Sequence, residues 1–101
     1  MEKLFSISNK LLLAPMVRLG STPFRVLCLR HGADYVFTEE IIAYKLVSCE
    51  RIYNADLNTF DYVSKKDKST VLRVSEAEKG RLFLQIGAAD RKTALEAALI
   101  V

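Results

Sequence analysis

Gln85 is the residue whose surroundings most call for an explanation. It interrupts "LFLQIG", a segment that is otherwise apolar up to its glycine. An amide there is either hydrogen-bonded in the interior or turned towards a ligand, because a polar group buried without a partner is costly. It offers a donor and an acceptor together, which suits a flat ring with alternating carbonyl and N–H groups, such as the pyrimidine edge of a flavin. The segment "LLLAPMVR" is the second candidate. Pro15 stops a sheet ladder and frees backbone groups, and Met16 is either a core filler or a polarizable surface for a flat ring. Val17 and Arg18 extend the same loop, where an arginine suits a phosphate or an acidic neighbour. Glu39 and Glu40 follow "DYVFT". Glu40 could address a ligand or fix a loop, although a carboxylate at the start of a helix needs no further role.

Several chemistries have no support. Cys28 and Cys49 lack CxxC spacing, and the single histidine, His31, has no histidine partner for a metal site. Both cysteines read as reduced thiols on helix faces. Lys65, Lys66 and Lys68 in "SKKDKS" read as a solvated turn or, more sharply, as contacts to nucleic-acid phosphates. No aromatic lies within a basic, base-stacking pattern along the chain. The net charge of +3 is compatible with an anionic partner without selecting one. The longest purely apolar run, residues 97–101, is far short of the roughly 20 residues of a membrane span, so no membrane partner is expected. The start "MEKLFSISNK" shows no export signal, and with reduced cysteines this implies a cytoplasmic protein.

The elements that must carry these residues recur three times. Residues 11–14 read as a buried strand, and Thr22 and Pro23 open a helix with Phe24, Leu27 and Cys28 on one face and Gly32 at its end. Residues 35–38 give a second strand and then a helix with Ile42, Leu46 and Cys49 on one face, Glu39 and Glu40 near its start. Residues 82–86 give a third strand, followed by a Gly87 turn, an Asp90 cap and a helix presenting Leu95, Ala98 and Leu99. Between the second helix and third strand, "FDYVS" and "TVLRV" around the lysine turn predict a two-stranded excursion. Serial strand–helix units imply an α/β fold with a parallel sheet, as in a barrel or a wound sheet. In a barrel the strand C-terminal ends would place Pro15–Arg18, Glu39–Glu40 and Gln85 on one rim. The last helix ends in "LEAALIV" without a terminating glycine, and three parallel strands leave both sheet edges open. The expectation is therefore an N-terminal part of a larger (β/α) protein.

"LAPMVRLGSTPFR", "GADYVFTEEII" and "LFLQIGAAD", in that order, resemble the N-terminal part of the tRNA-dihydrouridine synthases. The segment from residue 63 to 87 is most similar to the eukaryotic type-2 branch. The resemblance implies that residues 1–101 form the first part of a flavin-binding (β/α)8 TIM barrel, three strand–helix units with a hairpin insertion before the third strand. It also implies reduction of a uridine in tRNA to 5,6-dihydrouridine, with FMN as carrier and NADPH as electron donor. Pro15, Met16 and Val17 correspond to the segment against the flavin, Gln85 to the flavin-contacting glutamine, and Glu40 to an acidic site residue. The family's catalytic cysteine lies in an N-x-G-C-P motif that these residues do not contain, so none of them is expected to be catalytic. This chain alone is expected to bind FMN weakly or not at all and to leave tRNA unreduced. Two other readings stay open on the sequence: a different FMN-dependent barrel oxidoreductase, and a non-enzymatic RNA-interaction product.

Overall fold

The computed structural model describes residues 7–101, so most of the start read above for a targeting signal lies outside the described residues. The elements in chain order are β1 (Leu12–Leu13), α1 (Thr22–Arg30), β2 (Tyr35–Phe37), β3 (Ile41–Ile42), α2 (Ala43–Val47), β4 (Cys49–Asn54), β5 (Thr59–Ser64) and β6 (Thr70–Ser75). A 3-10 turn (Glu76–Glu78), β7 (Leu82–Phe83), β8 (Ile86–Gly87) and α3 (Arg91–Ile100) complete the chain.

Strands β1, β2 and β7 pair in that order, all parallel. The fold is mixed α/β, with the three strands adjacent in the succession that the sequence predicts. The third strand is broken: Gly87 lies in β8, which pairs with β3 in parallel, and is not a turn. The excursion has three antiparallel strands instead of two, in the order β4-β5-β6. Strand β4, "CERIYN", is largely exposed and has no apolar alternation to announce it; pairing with β5 forms it.

The helices also differ from expectation in detail. Ser21 takes the cap position of α1 and Thr22 is its first residue; the Thr22 hydroxyl donates instead to the Arg73 carbonyl on β6. Gly32 has a φ of +106°, as the end of a helix requires. Helix α2 is five residues long, with Ile42 at its cap and Cys49 already in β4, so one thiol belongs to a helix and the other to a strand. In α3, Asp90 accepts from the Thr93 N–H at 2.8 Å as expected. Its buried residue is Ala97, however, while Leu95 and Leu99 are exposed. Small Ala97 lets α3 approach α2 closely, joining a core of Ile41, Ala43, Leu46, Cys49, Tyr62 and Leu72.

Two ion pairs, both absent from the sequence reading, lock the excursion. Arg73 and Asp61 face each other across β5 and β6 and bond through two contacts of 2.8 and 2.9 Å. The Arg73 guanidinium holds the Asp61 carboxyl down at about 2, with hydrogen bonds from Thr59 and Asn54 assisting. Because the folded value lies below the unfolded value of about 3.9, this carboxylate stabilises the fold fully above about pH 4. Its contribution is lost as the pH falls towards 2. Urea midpoints measured from pH 5 to pH 2 should therefore fall less steeply in Asp61→Asn than in the parent. The second pair, Arg25 with Glu78, joins α1 to the 3-10 turn, with 2% and 0% of the side chains exposed.

Candidate functional site

Parallel strands direct their C-terminal ends the same way, so the loops after β1, β2 and β7 share one rim of the sheet. Pro15, Met16, Val17, Glu40 and Gln85 all lie on these loops and are exposed. After β1 the chain makes a turn closed by the Leu19 N–H to the Met16 carbonyl at 3.2 Å. Arg18 within it has a φ of +67°, an uncommon conformation for a residue with a Cβ. The Arg18 N–H donates to Glu39 Oε2 at 3.1 Å, which ties the first rim loop to the second. Glu39 is thus the loop-fixing carboxylate, and Glu40 makes no hydrogen bond to another described residue. Both precede β3 and do not open a helix, so the expected helix-terminal role does not apply.

A register change shapes the rim. Val36 and Phe37 pair with Leu82 and Phe83, whereas Ile41 and Ile42 pair with Ile86 and Gly87. Residues 38–40 therefore face residues 84–85, three against two, which is a bulge of one extra residue. Bulges re-aim side chains and cluster beside functional sites. The Thr38 N–H reaches the Phe83 carbonyl at 3.0 Å and the Ile41 N–H reaches the Gln85 carbonyl at 2.9 Å. Between them, the Gln85 N–H has lost its backbone acceptor and donates to Thr38 Oγ1 at 3.0 Å, while that hydroxyl donates to the Glu39 carbonyl at 2.7 Å. Thr38 is 1% exposed and completes the ladder with its side chain. In the sequence Thr38 reads only as the end of a strand. A buried hydroxyl beside two glutamates at the close of an apolar run was the available signal.

Gln85 sits in this gap with an exposed side chain that makes no hydrogen bond to another described residue. Of the two uses open to its amide, the interior hydrogen bond is the one the structure does not make. Two glycines mark close approaches at the rim. A Cβ on Gly20 would stand 2.4 Å from the Glu39 backbone nitrogen, and one on Gly87 would stand 2.6 Å from Glu40 Oε1.

Elsewhere the described residues offer little chemistry. Cys49 is buried, burial with some help from Asp67 pushes its thiol up, and the thiol donates to the Lys45 carbonyl at 3.2 Å. No group of three or more metal-ligating side chains occurs among the described residues. Among them, no helix is long and apolar enough to cross a membrane.

Residues 12–101 match the family model described as dihydrouridine synthase. The chain belongs to the dihydrouridine synthase family. It is 42% identical over 101 residues to the tRNA-dihydrouridine(20) synthase (NAD(P)+) of Schizosaccharomyces pombe, covering 97% of this chain and 21% of that protein. Its identity to the protein of the same name from Saccharomyces cerevisiae is 43% over 100 residues, covering 93% of this chain and 26% of the relative. The tRNA-dihydrouridine synthase B of Vibrio cholerae is 32% identical over 94 residues, covering 93% and 24% of the two chains. This dihydrouridine synthase chain thus spans about a fifth to a quarter of the length of these relatives. Membership of the family sets aside the reading as a different flavin oxidoreductase.

Proposed function

We propose that this chain supplies the first three strands of a (β/α)8 barrel in a tRNA-dihydrouridine synthase, and that its rim is one side of an FMN site. The observation that carries the reading is the rim itself: three adjacent parallel strands whose C-terminal ends present Pro15–Val17, Glu39–Glu40 and Gln85 together. The exposed Gln85 amide, unengaged by other described residues, fits the donor–acceptor edge of a flavin. Pro15, Met16 and Val17 supply an exposed, largely apolar surface suited to a flat ring. Glu40 is the acidic rim residue free to address a ligand.

In this reading bound FMN, reduced by NADPH, supplies the hydride that converts a tRNA uridine to 5,6-dihydrouridine. The chain's own residues bind and orient. Thr38 holds the Gln85 backbone, and through Glu39 it fixes the Pro15–Arg18 loop at the same rim. The proton for the uracil ring comes from a cysteine outside residues 1–101. The protein acts on tRNA in the cytoplasm.

The test uses the full-length protein, measuring bound flavin by absorbance and dihydrouridine in tRNA by mass. Gln85→Ala should weaken FMN binding by about tenfold, the scale of losing one or two hydrogen bonds from an amide. FMN affinity unchanged in Gln85→Ala would remove that residue from the site. Absence of dihydrouridine with the flavin-loaded parent protein would overturn the function.

A further inference from the structure

The lysine turn, distant in sequence from Glu39 and Glu40, shares a groove with these two rim residues in space. Helix α1 begins at the rim end of the sheet, and both Thr22 Oγ1 and Arg25 Nη2 donate to the Arg73 carbonyl, which places β6 beside the rim. The turn leading into β6 borders an open groove of about 860 Å³ lined by Glu39 and Glu40 at the rim, Lys45 on α2, and Lys65, Lys66 and Asp67 on the turn. Tyr44 also lines it and is 74% exposed. The sequence showed no basic and aromatic pattern because these residues lie about twenty positions apart; the fold brings them together.

The turn is built rigidly. The Lys68 N–H donates to the Ser64 carbonyl at 2.9 Å, the Lys66 N–H to Ser64 Oγ at 3.3 Å, and the Lys65 N–H to the Ser48 carbonyl at 3.3 Å. Asp67, which also lines the groove, accepts from the N–H and hydroxyl of Ser69 at 3.0 and 2.7 Å. The only ion pairs among the described residues are those of Arg25 and Arg73, so none of these lysines is in one. Lys45, Lys65 and Lys66 line the groove together with an exposed aromatic ring, and Lys65 and Lys66 come from a different segment than the rim glutamates. The three lysines offer cations to phosphates, and the exposed Tyr44 offers an unstacked base a ring to lie on.

We propose that this groove docks a single-stranded segment of the substrate RNA beside the rim, with Lys45, Lys65 and Lys66 contacting phosphates and Tyr44 stacking a base. The proposal rests on the reading of the protein as a tRNA-modifying enzyme. Phosphate is also the chemistry of the dinucleotide reductant, and the test distinguishes the two.

The full-length protein is titrated with unmodified tRNA from about 50 to 200 mM salt, the range over which phosphate contacts are most visible. Flavin content and the KM for NADPH in flavin reduction are measured in parallel. Lys65→Ala combined with Lys66→Ala should reduce the slope of log affinity against log salt by about 1.5, since each phosphate contact contributes roughly 0.7–0.9. Tyr44→Ala should weaken binding about tenfold with the slope unchanged, as loss of base stacking does. Lys68→Ala, on the same turn but not lining the groove, should leave both quantities unchanged, and flavin content and the NADPH KM should match the parent in every variant.

An unaltered slope in the double variant overturns the proposal, as does an equal effect from Lys68→Ala, which would mean diffuse charge. A change in the NADPH KM in place of RNA affinity assigns the lysines to the dinucleotide and also overturns it. If the flavin-loaded parent neither binds tRNA nor forms dihydrouridine, the functional reading falls and this proposal falls with it. If the parent does both and the variants behave like it, only the groove assignment is lost.

Discussion

Arg25→Ala in the full-length protein is expected to lower the unfolding free energy by about 3–5 kcal/mol, the cost of leaving a buried charge without its partner. The guanidinium is almost wholly buried and its polar groups are engaged from several sides. It pairs with both carboxylate oxygens of Glu78 and also donates to the Gly20 carbonyl, the Arg73 carbonyl at 2.7 Å and Thr22 Oγ1 at 3.1 Å. Glu78 has a second duty, accepting from the Ser75 N–H at 2.9 Å within a capping box. Removing Arg25 therefore strands a carboxylate and loosens the rim loop at Gly20 from the three-stranded excursion. Urea unfolding checks the magnitude. A double variant, Arg25→Met with Glu78→Leu, should be less destabilised than the sum of the two single changes, because it leaves no unpaired charge. A loss below about 1 kcal/mol for Arg25→Ala, the scale of an exposed pair, would show that the pair is solvated in the full-length protein.

On the proposed function, Gly20→Ala in the full-length protein is expected to reduce uridine reduction by about a hundredfold, since displacing a positioned site by about 1 Å has effects on that scale. Its added Cβ would meet the Glu39 backbone at 2.4 Å. The obstacle is main chain of the bulge that holds Gln85 and the Pro15–Arg18 loop, so relief requires moving the rim. Gly87→Ala makes the informative comparison. Its new methyl would meet Glu40 Oε1 at 2.6 Å, the mobile end of an exposed side chain that can swing away. Turnover and flavin content measured side by side should show a large loss for Gly20→Ala and a smaller one for Gly87→Ala, which displaces only the Glu40 side chain. Equal behaviour of the two would mean that the rim adjusts around Gly20 as easily as a side chain does.

The expected units survived where the signal was local. The run at residues 11–14 contains β1, residues 35–38 contain β2, and Asp90 caps α3 as its spacing from Thr93 requires. The second unit was less legible. Ile42 and Cys49 were expected on one helix face, but α2 closes within five residues and Cys49 begins β4, whose exposed side chains carry no period of two. The face of α3 was likewise undetermined. Residues 94–101 are apolar apart from Glu96, so periodicity alone fits more than one buried face, and contact with α2 selected Ala97. For the candidate site, the sequence singled out Pro15, Met16, Val17, Glu40 and Gln85, with Arg18 and Glu39 beside them; the five lie on one rim, and the structure adds Thr38 and shows Glu39 tying the loops together.

The sequence by itself determined the succession of apolar runs and breakers, and with it three parallel strands with the candidate residues at their C-terminal ends. Strand termination at Pro15 and helix capping at Asp90 act over one to four residues and so are written locally. Only the tertiary structure decided the one-residue bulge at Thr38, the Arg25–Glu78 pair and the groove that Tyr44 lines together with Lys65 and Lys66. Each of these depends on which segment lies opposite another. Strand register and the closure of charges across 53 residues are set when surfaces pack, and no local pattern encodes them.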